Sequence, residues 1–374
     1  VKYRGRSYLK SGLLFLVLCT VAFLSFVNIV ERNIGKSGYA VNSISTDIAL
    51  STIKNNSGKL LDLEGFEYII RPPCNSTFLT WIVTSYAGDA APRSALRRAY
   101  TNRDLAELGI TRVFLLGLLD DAAQRKTGVI QAAVENESER FRDIVQGNFY
   151  EAYRNLTYKH LMGLKWAADS CGDSRYIVKQ DDDIVINLYD IVDRLNEFRS
   201  DEKIFAGYVL KSMKPVREPA NKWYVTDKEF RGDVYPDFLS GWLYLVSRDL
   251  AAKIVERSRY CKNYFWIDDV FLTGIMRQEL NIDLVDIHEI YTTDYRYLTC
   301  CIKGGRKRLK CEFAIGPNGG EVELQVDFRK FAEFCRKECL PRPRQLAVGK
   351  TCVVRYEQSR LQIGSGKIEP IQFV

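Results

Sequence analysis

The sequence predicts an α/β fold: a mostly parallel, mixed sheet flanked by helices and preceded by one transmembrane helix. Three observations carry this. Beyond residue 71, short apolar runs alternate with segments of helical periodicity. A triplet of carboxylates interrupts two of those apolar runs, and residues 11–30 hold no charged side chain.

The uncharged stretch comes first in the chain. Leu13 to Leu18 is unbroken apolar sequence, and residues 21–27 are nearly as apolar. Twenty helical residues rise about 30 Å, the thickness of a bilayer core. Lys2, Arg4, Arg6 and Lys10 precede it with no acid among them, and a basic flank stays cytoplasmic. Residues 1–10 are therefore expected to be a cytoplasmic tail and 11–30 a signal anchor, with everything after it lumenal. A cleaved signal peptide is the rival reading; the stretch is long for one, and residues 27–31 offer no small-residue cleavage site.

Residues 31–70 are rich in Ser, Asn, Gly and Lys and read as a lumenal stem. The lumenal folded body, which the motifs below make the catalytic domain, is expected over 71–374. Sequons for N-glycosylation stand at Asn55, Asn75, Asn136 and Asn155, all on the lumenal side. Of the ten cysteines, nine follow the anchor and six follow residue 299. An oxidising lumen makes most of them disulfides, with one thiol left over by parity. Zinc is disfavoured, because only His160 and His288 are present and no paired C-x-x-C occurs. The net charge of +7 is mild, and although Arg306, Lys307, Arg308 and Lys310 cluster, no nucleic-acid-binding motif accompanies them. That cluster reads as a solvated loop.

Within the body, strands are expected at 78–84, 112–117, 176–179, 204–209 and 242–246. Helices are expected at 94–103, 150–170, 188–198, 249–257 and 269–280. In the longest, Tyr153, Leu156, His160, Leu164 and Ala167 recur every three or four residues. Strand–helix alternation of this kind builds a parallel sheet, and such sheets bind ligands at the carboxyl ends of their strands.

Asp181, Asp182 and Asp183 lie between Tyr176-Ile177-Val178 and Ile184-Val185-Ile186. Like charges held beside a core repel and resist desolvation, and a divalent cation relieves both. In an extended segment Asp181 and Asp183 share one side and Asp182 takes the other. Oxygen ligands suit Mn²⁺ or Mg²⁺. An exposed acidic turn is the plain alternative. A second pair, Asp268-Asp269, follows Tyr264, Phe265 and Trp266. Acids open helices as caps; under an aromatic wall the same carboxylates would serve as a general base.

These residues and several others resemble the β-1,3-glycosyltransferases of glycosyltransferase family 31, the galactosyltransferase and N-acetylglucosaminyltransferase group. Residues 93–100, RSALRRAY, are similar to its R-x-x-x-R-x-T-W block. FRDIVQ at 141–146 with NLTYK at 155–159 matches D-I-[IV]-Q…N-L-T-x-K. KQDDD at 179–183 with Asn187 matches K-x-D-x-D…N. KWYV at 222–225 and YPDFLSGWLY at 235–244 match K-W-Y-V…Y-P-x-[YF]-x-x-G-x-G-Y, and DDVFLTG at 268–274 matches E-D-V-[FY]-x-x-G. The ordered set spans about residues 78–282. Departures include Ala99-Tyr100 for Thr-Trp, Leu243 for Gly and Asp268 for Glu. A His some 40 residues after the last block is missing near Phe313-Ala314-Ile315, and His288 comes too early to replace it. The cysteine-rich part from about 299 has no counterpart in these motifs.

The resemblance implies a GT-A type nucleotide-binding sandwich in a type II Golgi membrane protein. It implies an inverting transfer of Gal, GlcNAc or GalNAc from a UDP-sugar to a glycan on a glycoprotein or glycolipid, in β-1,3 linkage. Asp183 and Asp181 would hold the metal, while Asp182, Arg93 and Arg97 would contact the donor. Asp269 would be the base, with Asp268 as the substitute, and Trp242, Leu243 and Trp266 would flank the acceptor. Two other readings compete: a lumenal sugar-binding relative without turnover, and a different metal-dependent phosphoryl or nucleotidyl transferase.

Overall fold

Strands buried on both faces read as short, largely apolar segments, and this chain has several. In a computed structural model describing residues 58–352, apart from 77, 200–201 and 262–263, they form the centre of one large sheet. The described residues from Leu60 onward belong to one compact unit. The expected cytoplasmic tail, anchor and most of the stem lie outside the described residues. Among the described residues no helix is long and apolar enough to cross a membrane.

The strands are β1 (Tyr68–Ile70), β2 (Leu79–Thr84), β3 (Ile110–Leu118), β4 (Ile144–Tyr150), β5 (Tyr176–Asp181), β6 (Ile184–Ile186), β7 (Phe205–Leu210), β8 (Phe238–Ser247), β9 (Val285–Asp286) and β10 (Ile315–Pro317). Eight of them form the sheet in the order β9-β7-β8-β5-β2-β3-β4-β1. The central run β5-β2-β3-β4 is parallel, as is β9 on β7; β8 runs antiparallel between β5 and β7, and β1 antiparallel to β4. The mixed, mostly parallel sheet is as expected.

Alternate residues of each strand serve opposite layers. Ile82, Leu115 and Val145 face a core with α5 (Leu156–Ser170), α7 (Arg248–Ser258) and a π-helix at Val270–Met276. Trp81, Val83, Phe114 and Val178 face the other core, with α1 (Ala91–Ala99) and α6 (Leu188–Glu197). Both layers are closed by fully buried aromatics such as Trp81 and Trp166. A third cluster joins α8 (Tyr295–Lys303) to α9 (Leu324–Glu338), and α9 packs on α1 and β6.

Differences from the sequence reading have local causes. The helix expected at 94–103 divides, because the Thr101 side chain and Asp104 form a capping box that starts α2 (Asn102–Glu107). Helices α3 (Asp121–Thr127) and α4 (Gln131–Phe141) are short and mostly exposed, so their apolar signal is faint. The helix expected from 150 begins at Leu156, the preceding residues completing β4 and a 3₁₀ turn. The helix expected at 269–280 is largely a π-helix. Residues 60–70, assigned to the stem by composition, belong to the folded body: Leu60, Leu61 and Phe66 are buried, and β1 edges the sheet. Eight of the nine cysteines after the anchor pair as Cys74–Cys171, Cys300–Cys352, Cys301–Cys311 and Cys335–Cys339. Cys261 joins no disulfide.

Candidate active site

Strand β5 ends on Asp181, and a two-residue turn carries Asp182 and Asp183 before β6 begins. The triplet thus stands at the carboxyl ends of the parallel strands, where β2 delivers Thr84 and Ser85. Together with Tyr86, Glu151, Tyr153, Leu156 and Lys159 they line a cleft of about 460 Å³, within the usual range for small-molecule sites. Ser85 Oγ donates to Asp182 Oδ2 at 2.6 Å, and the Asp182 amide donates to the Thr84 carbonyl. Lys159 Nζ donates to the Ser85 carbonyl and to Glu151 Oε2, both at 2.6 Å, pinning the cleft floor. Asp183 is exposed, and its carbonyl accepts from the Asn318 amide at the end of β10.

Lys179, only 1% exposed, links this group to a second one. Its Nζ donates to Asp181 Oδ1 at 2.6 Å and to the Gly241 carbonyl. The Gly241 amide in turn donates to Asp269 Oδ2 at 3.1 Å, while Val270 N caps Asp269 Oδ1 at 2.8 Å. Gly241 lies where β8 slips register against β7 between Leu239 and Tyr244, an irregularity common beside active sites. A Cβ there would stand 3.2 Å from Asp269 Oδ2, a tight contact that glycine avoids.

Asp268 is held from behind. His160 Nδ1 lies 2.8 Å from Asp268 Oδ2, and His160 Nε2 meets the Tyr244 hydroxyl. Burial drives the carboxyl of Asp269 up to about 7, helped by the charge of Asp268 and opposed by Lys179 and the two backbone amides. Burial also raises Asp268, but His160 and Lys179 outweigh it and hold Asp268 below the ordinary carboxylate range. Lys179 is raised: its burial works against the charge, and Asp181, Asp268 and Asp269 overcome that. Burial lifts Asp181 to about 7 against the pull of Lys179, though its side chain keeps 35% exposure and water screens part of the effect. Asp182 is raised chiefly by burial.

A divalent cation fits this end of the cleft in part. Asp181 and Asp183 offer hard oxygens two residues apart, and the elevated Asp181 and Asp182 mark carboxylate charge that protein cations leave incompletely balanced. Among the described residues no group of three His, Cys, Asp or Glu converges to complete a sphere, so a cation here would need further oxygens from ligand or water.

Other predicted residues lie elsewhere. Arg93 is 1% exposed and faces inward: Nε and Nη2 pair with Glu137 at 2.8 and 2.6 Å, and Nη1 donates to the carbonyls of Tyr86 and Asp89. Arg97 pairs with Glu137 and, through two bonds, with Asp143. With both guanidinium groups committed to protein partners, Arg93 meets the cleft lining through the Tyr86 carbonyl at 2.7 Å and Ser85 Oγ at 3.3 Å. Leu243 is fully buried in the core on the opposite side of the sheet from Tyr244, and Trp242 packs there too. Full burial keeps Leu243 from flanking an acceptor, while Trp242 is half-buried and directly follows Gly241. Trp266 does stand two residues before Asp268, buried against Tyr153 at 5.7 Å with Arg154 over its ring. Asn75 and Asn136 are exposed; Asn155 is half-buried and donates to the Tyr150 carbonyl; Asn55 lies outside the described residues. His288 pairs with Asp286 at the far edge of the sheet. Sequence reasoning missed His160, which looked like one more apolar-face position of a helix, and Lys159 and Gly241, whose roles depend on contacts distant in sequence.

One carboxylate set thus follows a strand and the other opens the π-helix, and Lys179 and Gly241 link them. The chain belongs to the galactosyltransferase family, whose model matches residues 91–288, more than half of its length. Beta-1,3-galactosyltransferase 2 of Homo sapiens is 32% identical over 267 residues, covering 66% of this chain and 62% of that protein. Beta-1,3-galactosyltransferase 5 of Homo sapiens is 30% identical over 267 residues, covering 70% and 81% respectively. The chain thus spans less than two thirds of the first relative and four fifths of the second. Among solved structures, the WbbM bifunctional glycosyltransferase in its apo form aligns with 72% of this chain and 51% of that one, at 11% identity and a TM-score of 0.35, too low to add to the assignment.

Proposed function

We propose that the protein is an inverting, metal-dependent glycosyltransferase of GT-A type. It moves Gal, GlcNAc or GalNAc from a UDP-sugar to a glycan hydroxyl, in β-1,3 linkage, as a type II Golgi membrane enzyme. The observation that carries this reading is the division of carboxylates into two sets bridged by Lys179 and Gly241: a cleft set at Asp181–Asp183 and a base set at Asp268–Asp269.

The cleft set belongs to the donor. Asp183 and Asp181 would hold Mn²⁺ or Mg²⁺, which when bound supplies positive charge beside the leaving diphosphate. Asp182, fixed by Ser85, faces the nucleoside side. The base set belongs to the acceptor. Asp269 accepts the acceptor hydroxyl proton as that oxygen bonds to the anomeric carbon; the bond from that carbon to UDP breaks, with inversion. Asp268 is less suited to the role, since His160 already occupies its carboxylate.

The test is UDP release from UDP-Gal, UDP-GlcNAc and UDP-GalNAc with Mn²⁺, across a panel of glycan acceptors, with Asp183→Asn and EDTA as controls. Acceptor-dependent release that both controls abolish is expected. Full activity in EDTA removes the metal, and glycan binding without turnover on any donor favours a sugar-binding relative instead.

A further inference from the structure

The basic cluster read from the sequence as a solvated loop is exposed at Lys307, Arg308 and Lys310 and is also cross-linked. Residues 295–352 hold 13 Lys and Arg against six Asp and Glu, an excess equal to the +7 of the whole chain. Residues 302–310 contain five of those cations and no acid. Like charges crowded together repel and favour an open, mobile segment. Here the chain opposes that tendency three times. Cys301–Cys311 closes the segment into a ring and Cys300–Cys352 anchors its base. The amide of Lys310 donates to the Leu340 carbonyl, and the amide of Leu340 donates to the Arg308 carbonyl, both at 2.9 Å. The loop is thereby laid beside the segment leaving α9.

Some of the charge is neutralised: Arg308 reaches Glu338 at 3.5 Å, and Arg342, 9% exposed, turns inward to Glu312. Among the described residues, the exposed Lys303, Lys307, Lys310, Lys337 and Arg344 make no ion pair. A cross-linked surface that displays uncompensated cations is pre-organised for a polyanion, because ordering costs are already met by the disulfides. The compartment narrows the choice. Four disulfides require oxidising surroundings, where nucleic acid is absent and polyanions are sulfated or carboxylated glycan chains. We propose that the disulfide-bonded C-terminal lobe binds anionic glycan chains through Lys307, Lys310 and Arg344, a site separate from the cleft.

The experiment uses the full chain in detergent, with heparin as the sulfated glycan and sulfopropyl resin as a non-glycan polyanion of comparable charge. Wild type is expected to need more NaCl for elution from heparin than from sulfopropyl resin. The variant Lys307→Glu/Lys310→Glu/Arg344→Glu should bind a heparin dodecasaccharide at least about tenfold more weakly at 0.15 M salt. UDP release on a neutral acceptor should be unchanged, which separates this site from the proposed activity. A Lys307→Gln/Lys310→Gln variant gives an intermediate loss and guards against misfolding. Equal elution from the two resins, undiminished heparin affinity in either variant, or equal retention on phosphatidylserine vesicles would overturn the proposal.

Discussion

His160 gives two adjacent carboxylates different surroundings. It is fully buried, and burial holds its pKa below the ordinary imidazole value, so the ring is neutral. Its two partners then fix the tautomer: Nδ1–H donates to Asp268, and Nε2 accepts from the Tyr244 hydroxyl. Asp268 stays ionised beside Asp269, whose carboxyl rises to about 7 through burial first and that neighbouring charge second. A base works only when deprotonated, so turnover should climb as pH rises through about 7 and fall below it, with the limb reporting the coupled pair. A flat rate between pH 5.5 and 8.5 would refute this. His160→Ala should lower kcat more than donor KM and shift the acidic limb, while Tyr244→Phe does so more mildly. The orphaned partners should also cost about 1–3 kcal/mol each, readable by urea unfolding. A purely structural histidine would lower stability and leave the pH limb in place.

At the scale of elements, the inward arginines show what a single sequence hides. Arg93 and Arg97 are one helical turn apart on α1, a spacing equally suited to holding phosphate or to tying α1 to its neighbours. The decision rested on Glu137 in α4, a helix whose exposed, polar composition gave little periodic signal. Glu137→Gln should leave Arg93 buried without its counter-charge and cost about 3–5 kcal/mol, yet leave UDP-sugar affinity unchanged once the protein is folded. A large rise in donor KM, with stability intact, would restore the arginines to the donor site. The strands were legible because burial on both faces favours clustered apolar residues, as in Trp81-Ile82-Val83 and Tyr176-Ile177-Val178. The triplet was legible because acids rarely interrupt such runs. Leu243 was placed by motif position alone; strand alternation sends its side chain, with that of Leu245, into the core opposite Tyr244 and Val246. Cys74–Cys171 joins the segment before β2 to the end of α5 across 97 residues. Long loops of this kind are worth about 4–5 kcal/mol in the chain-entropy picture, so Cys74→Ser/Cys171→Ser should unfold at markedly lower urea.

At the scale of the molecule, charge is divided by purpose. Carboxylates gather at the strand ends, where donor and acceptor would meet, while the positive excess gathers in the cysteine-bonded lobe. The sheet keeps the two carboxylate sets apart but coupled, since Lys179 on β5 reaches Gly241 on β8 and Gly241 reaches Asp269. The central claim is that the donor set binds and the base set reacts. Its most direct test is a paired measurement on Asp269→Asn: kcat for acceptor-dependent UDP release, and the dissociation constant for the UDP-sugar with Mn²⁺. The account predicts that kcat falls about 10²–10⁴-fold while donor affinity stays within about threefold of wild type. Near-normal turnover, or a loss of donor binding as severe as that of Asp183→Asn, would contradict it.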